Sequence, residues 1–206
     1  MFKNLDSTDR QAVEMLKRMA ILAEYRDDGI RSHLERIRGY TYILSTYHGL
    51  SSIEAEVIAN AALVHDIGKV GLPVELQFTP AKLSPIEQET LKKHVGYGVE
   101  LLRGATSKYL NTAENIILNH HERWDGSGYP QGLVGEEISL GGRIMAVADV
   151  FDALTTPRAY KADIPVDSAL KLIRDSGGML FDPEITKVFS DHFDDIIRIR
   201  QAFLSG

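Results

Sequence analysis

Ile144-Met145-Ala146-Val147-Ala148-Asp149-Val150-Phe151-Asp152-Ala153-Leu154 is the stretch whose environment decides the fold. It is apolar on nearly every side, so the helix expected over 140–154 has to be buried among other elements. Asp149 conflicts with that setting. An unpaired carboxylate there would cost several kcal/mol or be forced neutral, and a metal ion resolves the conflict. Asp152, one turn on, fits a supporting part, orienting a ligand or pinning the loop that follows.

Outward from this run, helix signals dominate and β-hairpin signals are scarce. Thr8 can cap a first helix with Gln11 completing a capping box, and Val13, Leu16, Met19, Ala20 and Ala23 form its apolar stripe. A second helix carries His33, with Ile30, Leu34, Ile37, Thr41 and Leu44 along one face and Gly49 closing it. Ser51 with Glu54 opens a third, which carries Ile58, Ala61, Ala62 and His65. The glycines and prolines of 67–82 predict a loop. Ser84, Pro85 and Glu87 start the helix that carries His94. Another helix is expected over 112–121, ending in His120-His121. The polar, glycine-rich segment from Arg123 to Glu137 is too long for a passive turn. Helix returns near 165–175 and, after Asp182-Pro183, runs to the end. The fold class is all-α.

At 206 residues the chain suits one domain with a substantial core, or a core plus a short extension. It has no cysteine, which excludes disulfides, thiolate metal sites and a cysteine nucleophile. Any metal must then be held by nitrogen and oxygen. A net charge of -6 argues against general affinity for nucleic acid or a membrane surface. Charge to meet an anionic substrate has to come from metals or a few placed cations. No apolar run approaches the ~20 residues that span a bilayer, and no secretory pattern opens the chain, so a cytoplasmic location is expected.

Two clusters carry chemistry. His65-Asp66 closes an apolar helix, and alone it reads as a buried structural pair. Gly68 and Lys69 shift that reading, because they set a close turn and a cation beside two good metal ligands. A cation beside metals suits a phosphate. His120-His121 is the second cluster. Neighbours on a continuous helix point about 100° apart, so both reach one metal only near a helix end or a cavity. The alternative is a pair of surface histidines favoured by the helix dipole.

The ordered set His33…Arg36, His65-Asp66-Ile67-Gly68-Lys69, His94, His120-His121-Glu122-Arg123, Asp125-Gly126-Ser127-Gly128-Tyr129-Pro130 and Asp149 resembles the HD-GYP family. This is the branch of the HD phosphohydrolases associated with hydrolysis of cyclic di-GMP. Arg158-Ala159-Tyr160-Lys161 is similar to the family's Arg-Pro-Tyr-Lys segment, with alanine for proline, and Phe181-Asp182-Pro183 also matches. The resemblance implies a helical bundle of the HD-domain phosphohydrolase type, with 28–206 as the catalytic domain and 1–27 as an N-terminal accessory helix.

It also implies two divalent metal ions, iron or manganese by the nitrogen and oxygen ligands. His33, His65, Asp66 and Asp149 would hold one. His94, His120 and His121 would hold the other, with Asp66 bridging. Some members carry a third metal on a Glu one turn before the first histidine. That position is Gly29 here, so a binuclear centre is expected, unless an irregular helix start lets Asp27 or Asp28 swing in. His48 and His192 match nothing and read as structural or exposed.

The implied reaction is hydrolysis of cyclic di-GMP to linear pGpG, or onward to GMP, by a metal-bridging hydroxide. Asp66 and Lys69 are the catalytic residues, and Lys69, Arg158, Lys161 and Tyr129 bind substrate. Tyr129 suits shaping the loop or meeting a protein partner better than bond breaking. A homodimer is compatible with this reading. The rival readings are an HD-superfamily phosphohydrolase acting on another cyclic dinucleotide or nucleotide, and a catalytically silent module that binds cyclic di-GMP.

Overall fold

The computed structural model describes residues 7–23, 29–78, 83–157 and 163–204. Its helices are Ser7–Ala23 (α1), Ile30–Tyr47 (α2), Ser52–Ala61 (α3), Val74–Phe78 (α4), Pro85–Leu102 (α5), Lys108–Asn119 (α6), Leu140–Thr155 (α7), Val166–Asp175 (α8), Pro183–Asp191 (α9) and Phe193–Ala202 (α10). Short 3₁₀ turns occupy Ala62–Val64, Ile67–Gly71 and Gly135–Glu137. Among the described residues no strand forms, and pairing is limited to the isolated bridges Asp125–Val134 and Gly177–Phe181. The chain is all-α, as its patterning requires.

The apolar run at 144–154 lies in α7, capped by Ser139, whose Oγ accepts from the Gly142 N–H at 3.3 Å. Ile144, Met145, Val147, Ala148 and Phe151 are wholly enclosed, and α2, α6, α8 and α9 pack around them. Each such large side chain contributes about 1.5–3 kcal/mol on burial, so α7 is the axis of the bundle. Only a strip including Asp149, Val150 and Ala153 is half-exposed, and Asp149 on it joins the site described below. Helix α2 buries Ile30, Leu34, Ile37, Thr41 and Leu44, the face its spacing predicts. It ends at a left-handed Gly49 (φ 106°), where Gly49 N–H and Leu50 N–H return to the Thr46 and Ser45 carbonyls. Reciprocal capping boxes start α3 (Ser51 and Glu54) and α5 (Ser84 and Glu87, with Pro85 in the first turn).

Five expectations change in detail. The third helix, expected to carry Ala62 and His65, ends at Ala61, and a 3₁₀ turn over Ala62–Val64 leads to His65. The loop expected over 67–82 contains a 3₁₀ turn and α4, separated by Pro73, and 79–82 lie outside the described residues. Helix α6 begins at Lys108 rather than 112, because Ser107 caps it by accepting from the Tyr109 N–H. The C-terminal helix is two helices, since the backbone at His192 (φ -116°, ψ 27°) leaves helical geometry. Helix α1 starts at Ser7, so Thr8 stands in its first turn rather than ahead of it; the Thr8 side chain lies outside the described part, as does the proposed boundary at 27/28.

Candidate metal centre

Side chains from separate segments converge beside α7. His33 comes from the first turn of α2, and His94 from the middle of α5. His65 and Asp66 occupy the break between the first two 3₁₀ turns, where Asp66 adopts φ -103°, ψ 11°. Helix α6 stops at Asn119, so His120 is its C-cap and His121 lies beyond the last turn, which frees the pair from the divergence a helix imposes. Asp149 completes the set from α7.

A close backbone approach sets the register. A Cβ on Gly68 would stand 1.8 Å from the His94 carbonyl oxygen and 2.5 Å from the Gly98 nitrogen. Only glycine lets the turn after Asp66 lie directly on α5, and that contact brings Asp66 against His94. The Asp66 Oδ1 lies 3.4 Å from His94 Nε2 and 3.9 Å from His120 Nε2, while its Oδ2 lies 3.2 Å from His65 Nε2.

Two groups result. Asp66, His94, His120 and His121 each offer an atom within 4.8 Å of the others, and so do His33, His65 and Asp149. The rings are poised for this. His65 Nδ1 meets the Ala62 carbonyl at 2.9 Å, His94 Nδ1 the Leu91 carbonyl at 2.7 Å and His120 Nδ1 the Ile117 carbonyl at 3.0 Å. His33 Nδ1 meets Asp152 Oδ2 at 2.8 Å. These acceptors require a proton on each Nδ1, so in the neutral imidazole it is Nε2 that carries the lone pair. The Nε2 atoms of His94 and His120 are buried and have no hydrogen-bond partner. Such nitrogens beside a carboxylate are the donor set a divalent cation takes. The residues fit a metal centre.

The electrostatics point the same way. Burial, and then the charge of His65, push the His120 imidazole down to about 4, and burial drives His121 lower still. Both rings are therefore neutral near neutral pH, as ligation requires. Burial opposes ionisation of Asp66, but Lys69, His65 and His94 outweigh it and hold the carboxyl well below its usual range. The Lys69 ammonium sits 2.5 Å from Asp66 Oδ2. Asp152 is likewise held down, to about 2, against its burial by hydrogen bonds from His33 and Arg36.

The segment after His121 folds back over the site. Tyr129 stacks on the His121 ring at 4.7 Å and 21°, and Lys92 lies 5.3 Å from the centre of the tyrosine ring. Burial, and then the charges of Asp66 and Asp149, raise the Tyr129 hydroxyl. The residue that shapes this loop was quoted in sequence only as part of a motif and was given no role. Glu122 is buried, and its carboxylate accepts from the backbone N–H groups of Gln131 (2.7 Å), Gly132 (3.2 Å) and Leu133 (3.2 Å). Its signal was an acidic residue directly before a glycine-rich segment. Arg36 was noted only as part of a motif, and it grips Asp152.

Arg158 and Lys161 lie outside the described residues, as do Asp27 and Asp28. Gly29 caps α2 without a side chain and offers no ligand. His192 stacks on Tyr47 away from the cluster, and His48 caps the far end of α2.

The chain matches the HD-domain family over residues 17–185. It is 42% identical over 180 residues to the cyclic di-GMP phosphodiesterase response regulator RpfG of Xanthomonas campestris, covering 87% of this chain and 48% of that protein. It is 37% identical to the 3'3'-cGAMP-specific phosphodiesterase 2 of Vibrio cholerae, covering 92% of this chain and 36% of that one. The chain thus spans half or less of the length of these relatives. Among solved structures, an HDG"Y"P protein from Bdellovibrio bacteriovorus shares the fold, with a TM-score of 0.63 at 22% identity over 91% of this chain and 58% of that one. A cyclic GMP-AMP-specific phosphodiesterase of V. cholerae does so with a TM-score of 0.63 at 21% identity over 95% of this chain and 53% of that one. Among the described residues no helix is long and apolar enough to cross a membrane. The chain belongs to the HD-domain family, and the HD-GYP resemblance carried by its motifs holds.

Proposed function

We propose that this chain is a metal-dependent phosphodiesterase that hydrolyses cyclic di-GMP to linear pGpG, or onward to GMP, using two divalent ions, iron or manganese. The observation that carries this reading is the convergence of imidazoles whose Nδ1 atoms are pinned by acceptors and whose Nε2 atoms face two carboxylates. His33, His65, Asp66 and Asp149 would hold one ion. His94, His120 and His121 would hold the other, with one Asp66 oxygen turned to each group. Bound divalent ions supply Lewis acidity toward a phosphoryl oxygen and toward water.

The protein's own groups do the rest. Lys69 places an ammonium beside the shared carboxylate, where it can neutralise a phosphate's non-bridging oxygens. Arg158 and Lys161 would clamp the second phosphate or a guanine, giving an acidic chain the local cations it lacks overall. Tyr129, stacked on His121, forms one wall for the base or ribose. The 123–137 loop remains our candidate surface for protein partners. The names of the relatives support a cyclic dinucleotide as substrate and make 3'3'-cGAMP the alternative.

The test is metal analysis of anaerobically purified protein, paired with product analysis on cyclic di-GMP and 3'3'-cGAMP in parallel. Turnover of cyclic di-GMP with metal retained supports the reading. Metal-loaded protein that turns over neither dinucleotide overturns it, and preference for 3'3'-cGAMP moves the substrate but keeps the chemistry.

A further inference from the structure

Helix α10 begins at Phe193, beyond residue 185 where the family match ends, yet hydrogen bonds lead from it to a candidate metal ligand. The Arg36 side chain is 3% exposed. Its Nε donates to Asp152 Oδ1 at 2.6 Å and its Nη2 to Oδ2 at 3.0 Å. That same Oδ2 faces His33 Nδ1 at 2.8 Å. The remaining arm of the guanidinium, Nη1, donates to the Phe203 carbonyl at 3.1 Å, just past the end of α10. Beside it Arg200 donates to the Thr155 carbonyl at the end of α7. The helix lies close along α2 because Gly39 has no side chain, and a Cβ there would stand 2.6 Å from Ile199 Cγ2. At its other end Tyr47 stacks on His192 and donates to Asp195 at 2.8 Å.

We propose that α10 is a latch on the metal centre: through the Phe203 carbonyl, Arg36 and Asp152 it holds His33 in the tautomer and orientation that present its Nε2 to His65 and Asp149. A guanidinium is a rigid planar fork. With one arm fixed by the carbonyl and the opposite edge on the carboxylate, the carboxylate cannot turn, and neither can the imidazole it accepts from. Arg36 and Asp152 are positioning residues, acting through His33. The part of the inference that concerns metal rests on the function proposed above; the part that concerns the His33 ring does not.

The test uses the full chain in three forms, wild type, Arg36→Lys and Gly39→Val, with folding checked by far-UV circular dichroism. In metal-free protein, nitrogen-15 NMR of the histidine rings should find wild-type His33 as a single Nδ1–H tautomer, and mixed in both variants. Lysine keeps the charge but cannot span both acceptors. Stepwise titration with zinc(II) as a diamagnetic probe ion, read by the nitrogen-15 shift of each ring's Nε2 on ligation, should show binding at His33 and His65 weakened about tenfold or more. Binding at His94 and His121 should be unchanged. A fixed His33 tautomer with unaltered affinity in the folded variants overturns the latch, and so does equal weakening at both groups. If Gly39→Val does not fold, Arg36→Lys decides alone. If wild type takes up neither manganese(II) nor iron(II) while the His33 tautomer still follows Arg36, the proposed function fails and the latch on the ring stands.

Discussion

Lys69 and Asp66 form a contact that the proposed metal binding would rearrange. The ammonium lies 2.5 Å from Asp66 Oδ2, the oxygen that faces His65. A dication held by the proposed ligands would compete with the ammonium for that oxygen, leaving Lys69 available to an anionic substrate. Lys69→Ala should therefore retain metal, or bind it more tightly, while turnover falls on the order of 10²-fold. Metal content falling in step with activity would instead make Lys69 an organiser of Asp66. His120 supplies a pH prediction. Burial and its charged neighbours hold the folded ring at about 4 against 6.5 for the free side chain, so between those values the unfolded chain binds more protons. Metal-free protein should then lose stability as pH falls through that window, by about 3 kcal/mol in all. His121, displaced further, adds in the same direction, whereas Asp66 titrates below 3.8 and contributes nothing there. Urea midpoints at about pH 7 and about pH 5 measure this, and equal midpoints would refute it. Five candidate ligands were legible in the residues themselves, because His65-Asp66 and His120-His121 are adjacent pairs and Asp149 interrupts an apolar run, whereas His33 and His94 came only with the family resemblance. The Arg36 grip on Asp152 was not, since those partners stand 116 positions apart and no periodicity links them.

Elements place those residues, and one crossing has little tolerance. The turn Ile67–Gly71 rests on α5 through Gly68, whose added Cβ would meet backbone atoms of His94 and Gly98 rather than movable side chains. Gly68→Ala must push the turn and α5 apart. We expect a loss of about 3 kcal/mol, at the upper end for overpacking, together with weaker metal binding at His94 and His120. Thermal melting and metal titration of the variant check both. Wild-type melting with full metal content would mean that the crossing has slack. The helices themselves were readable where local chemistry specifies them, as at Ser51 with Glu54 and Ser84 with Pro85 and Glu87. The turns at 62–71 were not, because 3₁₀ geometry there follows from packing against α5 and α1 rather than from local propensity. The break at His192 carries neither glycine nor proline, so the pattern ran on through it.

At the scale of the whole molecule, α1 decides how many cooperative units the chain contains. Read from sequence, it is an accessory helix ahead of the catalytic domain. In the fold it packs on the turns Ala62–Val64 and Ile67–Gly71, which flank His65 and Asp66, and also touches α2, α3 and α6. Val13, Leu16 and Ala20 belong to the same continuous apolar cluster as Ile144 and Phe151. The family match starts at residue 17, inside this helix. A helix that merely rests on a finished domain would separate before the remainder unfolds. One that completes the core unfolds with it. Leu16 is fully enclosed, so Leu16→Ala should cost about 2–5 kcal/mol, and the loss should appear in one transition followed equally by far-UV circular dichroism and by the fluorescence of Trp124, the single tryptophan, on the distant 123–137 loop. Two transitions, with the tryptophan reporting wild-type stability, would mean that α1 is an appendage. Coincident curves displaced together would mean that the metal centre inherits its stability from the N-terminal helix, because the turns bearing His65 and Asp66 are held between α1 on one side and α5 on the other.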